Sequence, residues 1–150
     1  MSETVQLDSS VGYLLKQASS ALHAAMEAVL RPLGLTVTRY SCLEILQHRP
    51  RISAAELARS TFVTRQSMQH VLETLETQGL VSRAEAPSSG RELPVRLTPA
   101  GEDRLLLASA AVREVELRML AGLADVDGFR AALRSSTAAL GGEPVRSEAP

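Results

Sequence analysis

Apolar residues recur along this chain at intervals of three and four, and the places where the interval changes divide it into helices and one short ribbon. Val11, Leu14, Leu15, Ala18, Leu22, Ala25, Met26 and Val29 form the stripe of an amphipathic helix running to about Leu30. Ser9 or Ser10 suits its start, and Pro32 with Gly34 closes it. A second helix begins at Thr36 or Thr38, carries Tyr40, Leu43, Ile45 and Leu46, and stops at His48-Arg49-Pro50. Ile52 follows as an extended residue able to pair with a later strand. Ser53 with Glu56 three residues on predicts reciprocal capping of a short helix from Ala54 to Arg59, with Leu57 and Ala58 turned inward. Phe62 and Val63 read as an apolar plug in the turn that follows. Thr64 caps the next helix, whose inner side is Met68, Val71, Leu72 and Leu75 and whose outer side is Arg65, Gln66, Gln69, His70 and Glu73. Gly79 ends it.

The period then shortens. Leu80 to Glu85 and Leu93 to Leu97 alternate in part, around a loop containing Pro87, Ser88, Ser89 and Gly90, which is the signal for a hairpin. Pro94 confines the second strand to an edge or to its first positions. Thr98-Pro99 opens a helix in the favoured cap-then-proline order, with Glu102 and Asp103 in its first turn. Its apolar residues run through Leu105, Leu106, Leu107, Val112, Val115, Met119 and Leu120. Asp125 caps a last helix containing Val126, Phe129, Ala132, Leu133 and Leu140, and residues 142–150 read as a mobile tail.

Composition sharpens this into a mainly α single domain with a small β-hairpin. The chain has 150 residues, 45% of them hydrophobic, with no Trp, two Tyr and two Phe, so its core is aliphatic. A net charge of −1 excludes a surface that is basic throughout. It allows a local patch, because phosphate contacts act over about a Debye length, ~8 Å at physiological salt. Between His48 and Arg96 there are seven Arg against five Glu. The single cysteine, Cys42, excludes an intrachain disulfide and fits a reducing compartment. The N-terminal residues carry no signal-peptide pattern, and no apolar run approaches membrane-spanning length, so a cytoplasmic location is expected.

The centre of the chain carries the candidate chemistry. A short helix bracing a second one whose N-terminal end is polar is the arrangement that enters a DNA major groove. Arg65 suits guanine O6/N7 or phosphate, and Gln66 or Gln69 suits adenine N6/N7. Ser53, Thr64 and Ser67 stand where helix N-terminal amides attract phosphate, and His70 faces DNA or solvent. Arg91, beside Gly90 on the hairpin loop, suits the negative potential of a minor groove. His23, His48 and His70 have no metal-ligand spacing, and neither a nucleophile–base pair nor a phosphate cradle is visible, so no metal, cofactor or enzymatic activity is expected.

Leu35-Thr36, Arg39-Tyr40 and Leu43, then Ala55-Glu56-Leu57-Ala58-Arg59, Val63-Thr64-Arg65-Gln66-Ser67, Leu75-Glu76, Gly79-Leu80-Val81, Arg83, and Val95-Arg96-Leu97-Thr98 with Gly101 resemble the MarR family of bacterial regulators, over residues from about 10 to 140. The resemblance implies a winged helix-turn-helix core, residues 36–98, between N- and C-terminal dimerisation helices at 8–35 and 99–141. It implies a homodimer on a palindromic stretch of double-stranded DNA, most often a repressor released by a small, often phenolic, effector. Val11, Leu14, Leu15, Leu22, Met119, Leu120, Phe129 and Leu133 are then candidates for the dimer interface. The resemblance puts the effector between the first, second and fifth helices, where His23, Met26, Arg39, Tyr40 and Leu43 are candidate lining residues. One departure stands out: where the family's wing commonly carries Asp-Arg-Arg, this chain has Ser89-Gly90-Arg91, which predicts a less rigidly braced wing. Two other readings stay open, a thiol-based redox sensor through Cys42 and a winged-helix protein-interaction module without DNA binding. The family branch that senses peroxides has its cysteine early in the first helix, where this chain has Gly12. The helical stripe makes Cys42 a small buried hydrophobe instead.

Overall fold

A computed structural model of the protein describes residues 4, 6–84 and 90–143. Pro87, Ser88 and Ser89 of the hairpin loop and residues 144–150 of the tail lie outside the described residues. Among the described residues six α-helices and one hairpin follow in the order α1 (Val11–Leu30), α2 (Val37–His48), α3 (Ala54–Ser60), α4 (Arg65–Thr77), β1 (Val81–Arg83), β2 (Val95–Leu97), α5 (Pro99–Leu120) and α6 (Val126–Ala139), with a 3-10 turn at Arg31–Leu33. The chain divides into two units, Met1–Val115 and Glu116–Pro150.

Local chemistry fixes where each helix begins. The side chains of Ser10, Thr36, Ser53, Thr64 and Asp125 accept from backbone N–H groups in the first turns of α1, α2, α3, α4 and α6. Thr98 Oγ1 does the same for α5, accepting from Gly101 N at 3.0 Å. Each such cap satisfies an N–H that has no partner inside its helix. At Ser53 only half of the expected reciprocal arrangement forms. Its Oγ accepts from Glu56 N at 3.2 Å, while the Glu56 carboxylate turns to Arg49 Nη2 at 3.0 Å.

In the first unit α2 is the hub, touching α1, α3, α4 and β2. The core gathers Leu30, Leu35, Leu43 and Leu46 with Leu57, Met68, Leu72 and Leu75, and is closed by Leu80, Val95, Leu105 and Ala108. β1 and β2 pair antiparallel with Val81 opposite Leu97, and Val81 and Val95 are their buried residues. The ordered strands are shorter than the alternation predicted. The ribbon is extended by a bridge between Ser53 and Glu92 and by Leu93 N donating to Ile52 O at 3.0 Å. This ties the hairpin to the residue preceding α3. In the second unit α6 has no buried residue, and Leu133 and Leu140 are exposed.

The turn between α3 and α4 corrects one expectation. Val63 is partly buried against the core, but Phe62 is 91% exposed, at φ 59°. Phe62 N donates to Arg59 O at 3.2 Å and Val63 N to Ala58 O at 3.0 Å, a closing turn that forces its left-handed residue outward. A non-glycine residue held there costs about 1–2 kcal/mol.

Candidate functional site

Thr64 organises the exposed end of α4. Its Oγ1 accepts from Ser67 N at 3.1 Å and donates to Ser67 Oγ at 3.0 Å. Arg65, Gln66, Ser67, Gln69 and His70 are all exposed, while Met68, Leu72 and Leu75 are buried on the opposite side. The helix therefore offers a guanidinium, two carboxamides, a hydroxyl and an imidazole to a partner without disturbing its core. Ser53 is half-buried at the start of α3, with its Oγ committed to the cap. Arg91 is exposed at the hairpin.

The base of the wing, below the altered tip, is braced by a pair of its own. The Glu92 side chain is almost fully buried and accepts from Arg96 Nη2, while Arg96 Nη1 donates to Leu93 O at 3.2 Å and Val95 O at 2.9 Å. Arg83 Nε donates to Glu76 Oε2 at 3.0 Å, linking β1 to α4. Neither pair follows from a rule for exposed surface charges, since each depends on where the ribbon lies.

An open cleft of about 720 Å³ lies between α1, α2 and α4, lined by residues that include His23, Glu27, Thr36, Arg39, Val63 and Val71. Gln66, Ser67 and His70 of α4 line it too. Of the five candidate effector residues, His23 and Arg39 are in this lining. Tyr40 and Leu43 are in the core instead, and Met26 packs against it. Helical spacing gave the face of α2 but not its phase relative to its neighbours. No residue of α5 lines the cleft, which differs from the location that the resemblance implies. Leu105 and Ala108 of that helix are buried in the core, and Arg104 Nη1 donates to Leu33 O at 2.6 Å. Sequence reasoning also missed Glu27. Its Oε1 accepts from Val37 N at 2.8 Å, placing negative charge at the start of α2, and lies 3.7 Å from His23 Nε2. Arg39 Nη1 donates to Gly34 O at 3.0 Å, using one of its five N–H donors.

Cys42 is wholly buried, with Sγ 3.9 Å from Met68 Sδ, and burial raises its thiol from the ordinary 9.0 to about 12. Desolvation disfavours the thiolate, the form that reacts with peroxides and alkylating agents. At pH 8 the native protein is expected to resist iodoacetamide, with a thiolate fraction roughly a thousandfold below that of the urea-unfolded chain. Comparable labelling rates in the two states would contradict this. The raised value also sets a sign for stability. The contribution of Cys42 is complete below the unfolded-state value of 9.0 and is lost as pH rises from there towards 12.

The sequence profile described as the MarR family matches residues 33–92. A curated relative, the HTH-type transcriptional repressor Rv2887 of Mycobacterium tuberculosis, is 44% identical over 116 residues, covering 77% of this chain and 84% of its own length. The chain belongs to the MarR family. It is a winged helix-turn-helix, DNA-binding regulator of transcription, and not an enzyme. The solved structure of Rv2887 in complex with DNA matches this MarR-family chain with a TM-score of 0.68 at 36% identity, covering 89% of this chain and 99% of the other. The complex of Rv2887 with salicylic acid matches with a TM-score of 0.66 at 39% identity, covering 89% and 97%. Among the described residues no helix is long and apolar enough to cross a membrane.

Proposed function

We propose that this MarR-family chain is a homodimeric repressor that reads a two-fold symmetric operator and is loosened from it by a small aromatic acid. The observation that carries the reading is the polar end of α4, where Arg65, Gln66, Ser67, Gln69 and His70 are exposed over a fully apolar inner side. Arg65 forks onto guanine or phosphate, the glutamines pair with adenine, and Thr64, Ser67 and the α3 cap Ser53 add phosphate contacts. Arg91 follows the neighbouring minor groove. One copy offers few base contacts, so specificity comes from two copies at a fixed spacing.

Pairing is supported by apolar side chains left in solvent. On α1 these include Val11, Leu14 and Leu15, and beyond Val115 they include Leu117, Met119 and Leu133. Leu22, Leu120 and Phe129 are half-buried. Residues 8–35 and 99–141 form the dimerisation region in this reading, and 36–98 the DNA-binding core. The effector occupies the cleft beside α4. His23 and Arg39 take its acid group, and Val63 and Val71 take its ring. Salicylic acid, bound by the relative Rv2887, has that chemistry. A DNA partner makes the cytoplasm the site of action.

The test is selection of duplexes from a random pool by the full-length protein at physiological salt. The expected product is an inverted repeat with half-sites about one helical turn apart, bound with an affinity that falls steeply with salt. Arg65→Ala is expected to weaken that duplex about five- to a hundredfold, and Arg91→Ala to lower the salt slope by about 1. Millimolar salicylate is expected to release the wild-type protein. A pool that stays random would sink the DNA reading. Indifference to salicylate would remove only the ligand class.

A further inference from the structure

Among the described residues four segments close with the same turn, in which one N–H reaches back five residues and the N–H before it reaches back three. Leu35 and Gly34 form it after the 3-10 turn, Leu80 and Gly79 after α4, Gly142 and Gly141 after α6, and Val63 and Phe62 after α3. The turn requires positive φ at one position, and three of the four use glycine: Gly34 at 72°, Gly79 at 74° and Gly141 at 79°. Phe62 is the exception, and the only non-glycine residue at positive φ among the described residues. It is also the most exposed of their large apolar side chains, at 91%. Among the described residues nothing inside the subunit explains a phenylalanine there. Glycine makes the same turn without strain, and the ring gains almost no burial.

The position of Phe62 supplies the explanation. It stands two residues before Thr64, at the end of α4 that carries Arg65, Gln66 and Ser67. The backbone conformation that strains it also turns it away from the core. We propose that Phe62 is a DNA-contacting residue whose ring packs on the C5-methyl group of a thymine in each half-site. That methyl is the one apolar group on the major-groove edges of the bases, and an aromatic side chain suits it. The closing turn holds the residue's backbone in place before DNA arrives, so little ordering is left to do on binding. The role rests on the proposed DNA reading and adds to it an apolar specificity element beside the polar side chains of α4.

The experiment uses the full-length protein and the duplex that wild type recovers from a random pool, alongside copies in which single thymines are replaced by deoxyuridine, which removes only the methyl. Deoxyuridine at one thymine position per half-site is expected to weaken wild type about fourfold per methyl. Phe62→Gly and Phe62→Ala are both expected to bind the thymine duplex at least about fivefold more weakly, and to be indifferent to the deoxyuridine change. Phe62→Gly is expected to melt at or up to about 3 °C above wild type. Wild-type affinity in both variants would overturn the assignment, as would a deoxyuridine effect that persists in them. A Phe62→Gly protein that melts several degrees lower would make the ring an internal packing residue. If wild type recovers no duplex, the DNA reading falls and this role with it. If it recovers one that the variants bind equally well, only the role of Phe62 falls.

Discussion

Gly101→Ala is expected to destabilise the protein by about 3 kcal/mol or more, and to lower its melting temperature by roughly 6–12 °C. Gly101 lies in the first turn of α5, where that helix crosses the start of the ribbon. A Cβ at this position would stand 2.0 Å from Leu80 O, 2.9 Å from Leu80 C and 3.3 Å from Leu80 Cα. All three are backbone atoms and cannot rotate away. Retreat of the helix is equally obstructed. Leu80 O accepts from Thr98 N at 3.0 Å, and Thr98 Oγ1 donates to Gly79 O at 2.6 Å, so separation sacrifices the bonds that seat α5 on the end of α4. Thermal or urea unfolding of the single variant checks this, and an unchanged midpoint would refute the close approach.

Leu72→Ala is expected to cost between about 2 and 5 kcal/mol. Leu72 is 1% exposed at the middle of α4, between Met68 and Leu75, which are equally enclosed. Truncation removes three carbons where surrounding helices have little freedom to collapse, so both the transfer energy and a cavity contribute. The urea midpoint should fall with the slope unchanged, as for a loss of packing within an otherwise intact fold. A cost below about 1 kcal/mol would mean that α4 is less firmly held than its burial implies.

These two sites mark how far the chain's own letters carry. Four of the six caps, Ser53, Thr64, Thr98 and Asp125, were legible outright, and the other two were narrowed to Ser9 or Ser10 and Thr36 or Thr38, because a hydroxyl or carboxylate before an apolar-periodic run acts on atoms three residues away. Gly79 was legible because a helix commonly ends on a residue at positive φ, which glycine adopts freely. The inner stripe of α4 and the hairpin followed from periodicity, and the ordered motifs from Leu35 to Gly101 identified the family. Phe62 was misjudged because apolar character says where a side chain gains energy, whereas the turn's hydrogen bonds decided where it points. Tyr40 and Leu43 lie in the core, and helical spacing alone does not fix which neighbour their face meets. The Glu92–Arg96 brace and the Glu27 cap on α2 depend on contacts between separate elements, which spacing along the chain does not encode. The exposed residues of α1 were ambiguous for a related reason: an amphipathic stripe states that something covers it, not which chain.

Gln66, Ser67 and His70 belong both to the outer end of α4 and to the wall of the cleft. In the proposed reading this shared wall makes the two ligands thermodynamic antagonists through the same side chains, with no relay across the fold. Such antagonism is reciprocal: the factor by which an effector weakens the operator complex equals the factor by which the operator weakens effector binding. A repressor already seated on its operator would therefore answer to a higher effector concentration than one free in solution. The threshold for induction would then depend on how many operator sites the cell holds, as well as on the chemistry of the cleft.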